Sequence, residues 1–105
     1  MPGTDNRIVW APAAKNDLRD IWRYFVGVAS PEVADRLLRD IVWASERVRQ
    51  RPLAGRARDE VMPGLRSILV HPYVVFYRVK SGTVEVVRVV HQRRNFAVMF
   101  SRAKR

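Results

Sequence analysis

The sequence predicts an α+β domain in which an N-terminal strand and an antiparallel two-helix hairpin pack on a three-stranded antiparallel meander. Three observations carry that expectation. Residues 65–95 hold three short runs rich in Val, Ile, Tyr and Phe, broken at His71-Pro72 and at Lys80-Ser81-Gly82-Thr83. That is the composition and punctuation of a β-meander. Residues 12–26 and 31–49 repeat apolar side chains at helical spacing, as helices do when they bury one side. Finally, 105 residues at 48% hydrophobic content are enough for one modest core. Residues 1–105 are therefore expected to form a single domain, with 1–6 and 97–105 as loose ends.

Taken in order, Arg7–Ala11 alternates enough for a first strand. Pro12 suits the opening turn of a helix running to Val26, with Ala14, Leu18, Ile21, Trp22 and Phe25 on one stripe. Gly27 is placed just past its end. Ser30 is a good N-cap for a second helix, followed by Pro31 at its first position and by Glu32 against the positive end of its dipole. That helix runs to about Arg49, with Val33, Leu37, Ile41, Ala44 and Val48 on one side, and Pro52 stops it. The short link between the helices makes them an antiparallel hairpin able to cover one face of the meander. Residues 51–63 form a polar connection. In the meander, a two-residue Ser81-Gly82 turn sets Arg78 opposite Glu85, Phe76 opposite Val87 and Val74 opposite Val89. Opposite charges then pair near the turn and apolar side chains pair beyond it.

Two aromatics fall off these stripes. Trp43 lies opposite Val33, Ile41 and Ala44 on the second helix, and Tyr24 lies off the stripe of the first. Large aromatics that point away from a core are typical interface anchors, although a twisted hairpin would also tuck them in.

The charge is uneven. The net value is +10, and residues 61–105 carry nine basic side chains against the single acid Glu85, whereas residues 1–60 carry eleven against nine. Arg supplies 17 of the 20 cations, and Arg makes bidentate, stackable contacts that a surface built for solubility does not need. A basic face of this kind meets nucleic acid, a nucleic-acid enzyme or an acidic peptide.

Several chemistries are excluded. The chain has no cysteine, hence no disulfide, thiolate or Cys-ligated metal site. His71 and His91 are the only histidines and have no i, i+4 partner or adjacent carboxylate, so no metal or other cofactor is expected. Asp17, Asp20, Asp35 and Asp40 stand among arginines at helical spacing, for example Asp35 with Arg39, and are read as solvated ion pairs. No apolar run reaches the length of a transmembrane helix, and no signal-peptide pattern opens the chain, so a cytoplasmic protein is expected.

The ordered set Gly64-Leu65-Arg66, Tyr73-Val74-Val75-Phe76-Tyr77-Arg78-Val79 and Val87-Arg88-Val89-Val90-His91-Gln92-Arg93-Arg94 resembles the core of the ParE/RelE toxin superfamily. Upstream, Trp10-Ala11-Pro12-Ala13-Ala14 into Asp17-Leu18, then Ser30-Pro31, then Arg51-Pro52-Leu53-Ala54-Gly55-Arg56 stand where that family has them. The resemblance spans residues 7–95 and is nearer to the ParE branch.

It implies a toxin of a type II toxin-antitoxin system that binds DNA gyrase and is neutralised by a ParD-like antitoxin with an acidic C-terminal segment. Operator DNA would be met only through the antitoxin, and no membrane is involved. Arg93, Arg94, Phe96 and Phe100 join charge to exposed apolar surface past the last strand and are expected to touch the target, with Arg66 and Arg88 on the sheet beside them. Trp43, Tyr24 and Leu38 are expected to touch the antitoxin. No catalytic residue is assigned. RelE relatives cut messenger RNA on the ribosome with cationic groups at the scissile phosphate and commonly a C-terminal tyrosine. Here Val74 stands where they tend to carry Arg, Ser67-Ile68-Leu69 stands where they put lysines, and no tyrosine follows Arg94. A RelE-like ribonuclease and a non-enzymatic nucleic-acid-binding module remain the alternative readings.

Overall fold

In a computed structural model, residues 7–103 are described, the side chains of 101–103 excepted. Eight elements follow one another: β1 (Arg7–Trp10), α1 (Pro12–Val28), α2 (Pro31–Gln50), β2 (Arg56–Ala57), β3 (Arg66–Val70), β4 (Tyr73–Lys80), β5 (Thr83–His91) and α3 (Phe96–Ala103). The strands form one sheet in the order β1-β5-β4-β3-β2, with β1 parallel to β5 and the other neighbours antiparallel. The predicted hairpin and meander are both present. The two-residue strand β2 was not foreseen.

The helix starts follow the sequence. Pro12 and Pro31 open α1 and α2, and Ser30 Oγ accepts the Val33 amide at 3.1 Å. The end of α1 does not. Gly27 lies inside the helix, with open space around it, and the cap is Ala29, whose amide bonds to the Phe25 carbonyl. The buried line of α2 is also rotated from the expected one. Ala34, Ile41, Ser45 and Val48 are buried and Val33 is 43% exposed. The closest packing falls on small residues, which let backbones approach. Ala14 and Ala34 are wholly buried, and Ser45 is satisfied by donating to the Ile41 carbonyl.

The meander turn is as expected, with Ser81 and Gly82 both at positive φ (51° and 75°) and Arg78 Nε donating to Glu85 at 2.7 Å. Beyond that the register slips. Phe76 faces Arg88 and Val74 faces Val90, one residue away from the expected partners, because a β-bulge lies between Phe76 and Tyr77 and leaves Val87 as the extra residue. The bulge reverses which side chains of β5 point to which face. Val84, Val86 and Val89 join the helical hairpin, whereas Val87 and Val90 join the other face.

That other face is covered, which the sequence reading did not expect. Instead of a loose tail from residue 97, α3 lays Phe96 and Phe100 against Phe76, with ring centroids at 4.8 and 5.0 Å, and buries Leu65, Val74 and Val90 beneath it. Asn95 Oδ1 accepts the Val98 amide and caps the helix. Tyr73–Tyr77 of β4 are consequently buried on both faces of the sheet. The expected loose segment 1–6 lies outside the described residues, as do 104 and 105. No described helix is long and apolar enough to cross a membrane.

Candidate functional site

Two surfaces carry the candidate residues. The first is the outer side of the helical hairpin. Trp43 is 65% exposed and Tyr24 60%, so the helices do not tuck them in. Leu38 is half-buried and lies with Val42 and Trp43 in a cleft of about 670 Å³ along α2. The Arg47 guanidinium lies over the Trp43 ring, 5.1 Å from its centroid. The same cleft is bordered by Asp35, Arg39, Asp40 and Glu46, and Glu46 is paired with Arg49 at 3.0 Å. Asp35 accepts from Trp22 Nε1 at 2.8 Å, which joins α1 to α2, and the expected Asp35–Arg39 pair is not among the ion pairs of the described residues. This apolar cleft, with charges of both signs at its rim, fits an amphipathic segment.

The second surface is the end of the sheet, and here the six expected target residues separate. Arg93 and Arg94 are exposed in the turn after β5, their amides held by His91 through its Nδ1 and its carbonyl. Phe100 is 4% exposed and Phe96 half-buried, so neither is the open apolar surface expected of it; both are spent on the sheet through α3.

Arg66 and Arg88 are committed elsewhere. Arg66 donates to the carbonyls of Leu53 and Gly55 at 3.0 and 2.8 Å, fixing the connection after α2. The same connection is held by Tyr77, whose hydroxyl donates to the Pro52 carbonyl and accepts the Gly55 amide. Burial pushes the Tyr77 pKa up, opposed by the Gly55 bond and by Arg66. A Cβ on Gly55 would collide with the Tyr77 hydroxyl, which is why the position needs glycine. Arg88 grips Asp17 through two bonds of 2.8 and 3.0 Å, and Asp17 Oδ2 also accepts the Val89 amide. The Asp17 hydrogen bond holds the Arg88 pKa above its ordinary value, against burial. Asp17 is therefore no solvated surface acid. Its side chain is 13% exposed and pins α1 onto β5 beside the bulge.

Sequence reasoning missed Arg56 and Arg58 of the β2 region. They border a cleft of about 270 Å³ with Ser67, Leu69, Gln92 and Phe96. Arg58 Nε donates to Ser67 Oγ at 2.7 Å and its guanidinium lies over Phe96 at 5.5 Å. The signal was present in Arg56-Ala57-Arg58, whose alternation puts both cations on one side of an extended segment.

Residues 8–96 match a family model described as the ParE toxin of the type II toxin-antitoxin system parDE. The chain is 38% identical over 89 residues to Toxin ParE1 of Mycobacterium tuberculosis, over 84% of this chain and 91% of that one. It is 35% identical over 82 residues to Toxin ParE1 of Caulobacter vibrioides, over 78% and 84% respectively. The solved structure of a chromosomal ParDE TA system from P. aeruginosa aligns with a TM-score of 0.73 at 27% identity, over 82% of this chain and 95% of that chain.

Proposed function

The chain belongs to the ParE toxin family of type II toxin-antitoxin systems, and we propose that it acts by binding DNA gyrase, breaking no bond itself, until a cognate antitoxin silences it. The observation that carries this reading is the fate of Val74. Where ribonucleases of the related RelE branch tend to carry a cation for the scissile phosphate, this chain buries Val74 to 4% exposure in an apolar cluster with Phe76, Val90 and Phe100. Arg66 spends its Nη1 on the Leu53 and Gly55 carbonyls, in a structural role. Past Arg94 the side chains Phe96 and Phe100 neither give nor take a proton. What remains at that end of the sheet is a binding surface led by Arg93 and Arg94. Gyrase supercoiling of a plasmid, measured with purified toxin and ATP, is expected to stop, while messenger RNA on translating ribosomes stays intact. Ribosome-dependent cuts that vanish in Arg93→Ala would overturn the assignment in favour of a nuclease.

The antitoxin is proposed to lie on the hairpin, with Trp43, Tyr24 and Leu38 as its contacts. The cleft beside Trp43 carries charges of both signs at its rim, with Glu46 paired to Arg49 and Arg47 stacked on Trp43. An amphipathic segment with its apolar residues toward Trp43 and Leu38 suits it. Trp43→Ala is expected to weaken the complex by more than about 1 kcal/mol in a titration, with folding unchanged, because an exposed anchor stabilises only the complex. Operator DNA is met through the antitoxin, and the toxin works in the cytoplasm.

A further inference from the structure

Each backbone amide from Gln92 to Arg94 is bonded. Gln92 donates to the Pro72 carbonyl at 2.9 Å, Arg93 to His91 Nδ1 at 3.2 Å and Arg94 to the His91 carbonyl at 2.9 Å. Two of these three bonds end on one residue. The bond from Arg94 closes a β-turn over His91–Arg94. The first position of such a turn usually holds Asp, Asn or Ser, whose short side chain accepts the amide two residues on. Here an imidazole makes that bond. The arginines it arranges are exposed, and no ion pair of the described residues uses either guanidinium.

An imidazole can do this only if its ring is turned correctly and its proton sits on the correct nitrogen. The sheet supplies the first condition. His91 is half-buried and lies opposite Tyr73 on β4, with the two rings edge-on, 5.5 Å between centroids and 77° between planes. Tyr73 is itself backed by Phe25 of α1 at 6.4 Å. Edge-on contacts of this kind hold an aromatic plane in place. The bond supplies the second condition. An amide can only donate, so Nδ1 is the bare nitrogen and the neutral ring carries its proton on Nε2.

We infer that His91 is a positioning residue for target binding: as its Nε2–H tautomer it holds the Arg93-Arg94 turn in the shape that the target meets. The inference rests on reading that turn as the surface that engages gyrase. A turn whose backbone is already fixed gives up less freedom on binding, so the two guanidiniums arrive at a set spacing instead of being ordered by the target.

Two substitutions separate the acceptor from the ring. His91→Phe keeps an aromatic ring beside Tyr73 and deletes the acceptor. His91→Asn deletes the ring and keeps an acceptor in place of Nδ1. The Phe variant is expected to stay folded and to need at least about fivefold more protein to stop gyrase supercoiling, the weight of one hydrogen bond. The Asn variant is expected to inhibit within about twofold of the parent even though it melts at a lower temperature, since the lost ring contact concerns stability alone. The reverse order, with Phe active and Asn inactive, overturns the inference. Nitrogen NMR of the imidazole in the unaltered toxin at mildly alkaline pH decides the matter if a variant misfolds. Protonated Nε2 with bare Nδ1 is expected, and protonated Nδ1 overturns the inference. Growth arrest on expression without antitoxin is read alongside, because it reports the toxin whatever its target. A parent that arrests growth but leaves supercoiling intact ends the gyrase reading, and the order of the two variants in growth arrest then decides the role of His91. A parent that does neither overturns both.

Discussion

Arg88 and Arg93 are five positions apart on β5 and its exit, carry the same charge, and do opposite things. Arg88 lies over a bulge, meets Asp17 at 2.8 and 3.0 Å, and holds α1 to the sheet. Arg93 sits exposed in a turn, held through its backbone amide by His91 Nδ1. In the sequence both belong to one cationic run. What separates them is whether a carboxylate 71 residues away arrives opposite, and only the fold decides that. Charge density along a chain reports a surface potential, whereas a binding site needs the part of that charge left unpaired.

The strongest way to break the contrast is to remove Asp17. Asp17→Ala strands the Arg88 guanidinium and the Val89 amide together, and is expected to cost about 3 kcal/mol of stability, since losing one partner of a partly buried pair leaves the other uncompensated. A urea midpoint within error of the parent would show that Arg88 is as free as Arg93. Next comes Phe100→Ala, which opens a gap over Phe76 and should cost about 2 kcal/mol. Its sharper readout is increased exposure of the α3 face, seen as dye binding, with the hairpin core still protected. Smallest in stability is Arg93→Ala with Arg94→Ala, expected to shift folding by no more than about 0.5 kcal/mol while abolishing gyrase inhibition. Loss of inhibition accompanied by unfolding would return Arg93 to the class of Arg88.

The parts of the fold that rest on local signals were legible. The prolines that open α1 and α2, the Ser30 cap and the Ser81-Gly82 turn need only their neighbours to act. The Arg78–Glu85 pair followed from that turn. The misses begin where distance enters. The bulge at Val87 is an adjustment to two cores at once, and α2 turns toward Ala34 and Ser45 because of what packs on it. The covering helix α3 was partly readable, because Asn95 and the Phe96, Met99, Phe100 spacing announce a capped amphipathic helix. The arginines before it drew the segment toward a surface role. Of the candidate site, the exposed aromatics Trp43 and Tyr24 were found by their mismatch with the helical period. The arginines beside β3 were overlooked because nothing in a linear reading brings β2 up against β3.

The bulge at Val87 also makes the molecule sensitive to parity. Side chains on β5 alternate between two interiors that share no residue, the one beneath the helices and the one beneath α3. One residue gained or lost between Val87 and His91 would hand each interior the other's side chains and turn the path toward α3 to the wrong face. A change of two would restore the assignment. Length variation in this strand should therefore be tolerated in steps of two, so that Val87 acts as a phase marker for everything downstream.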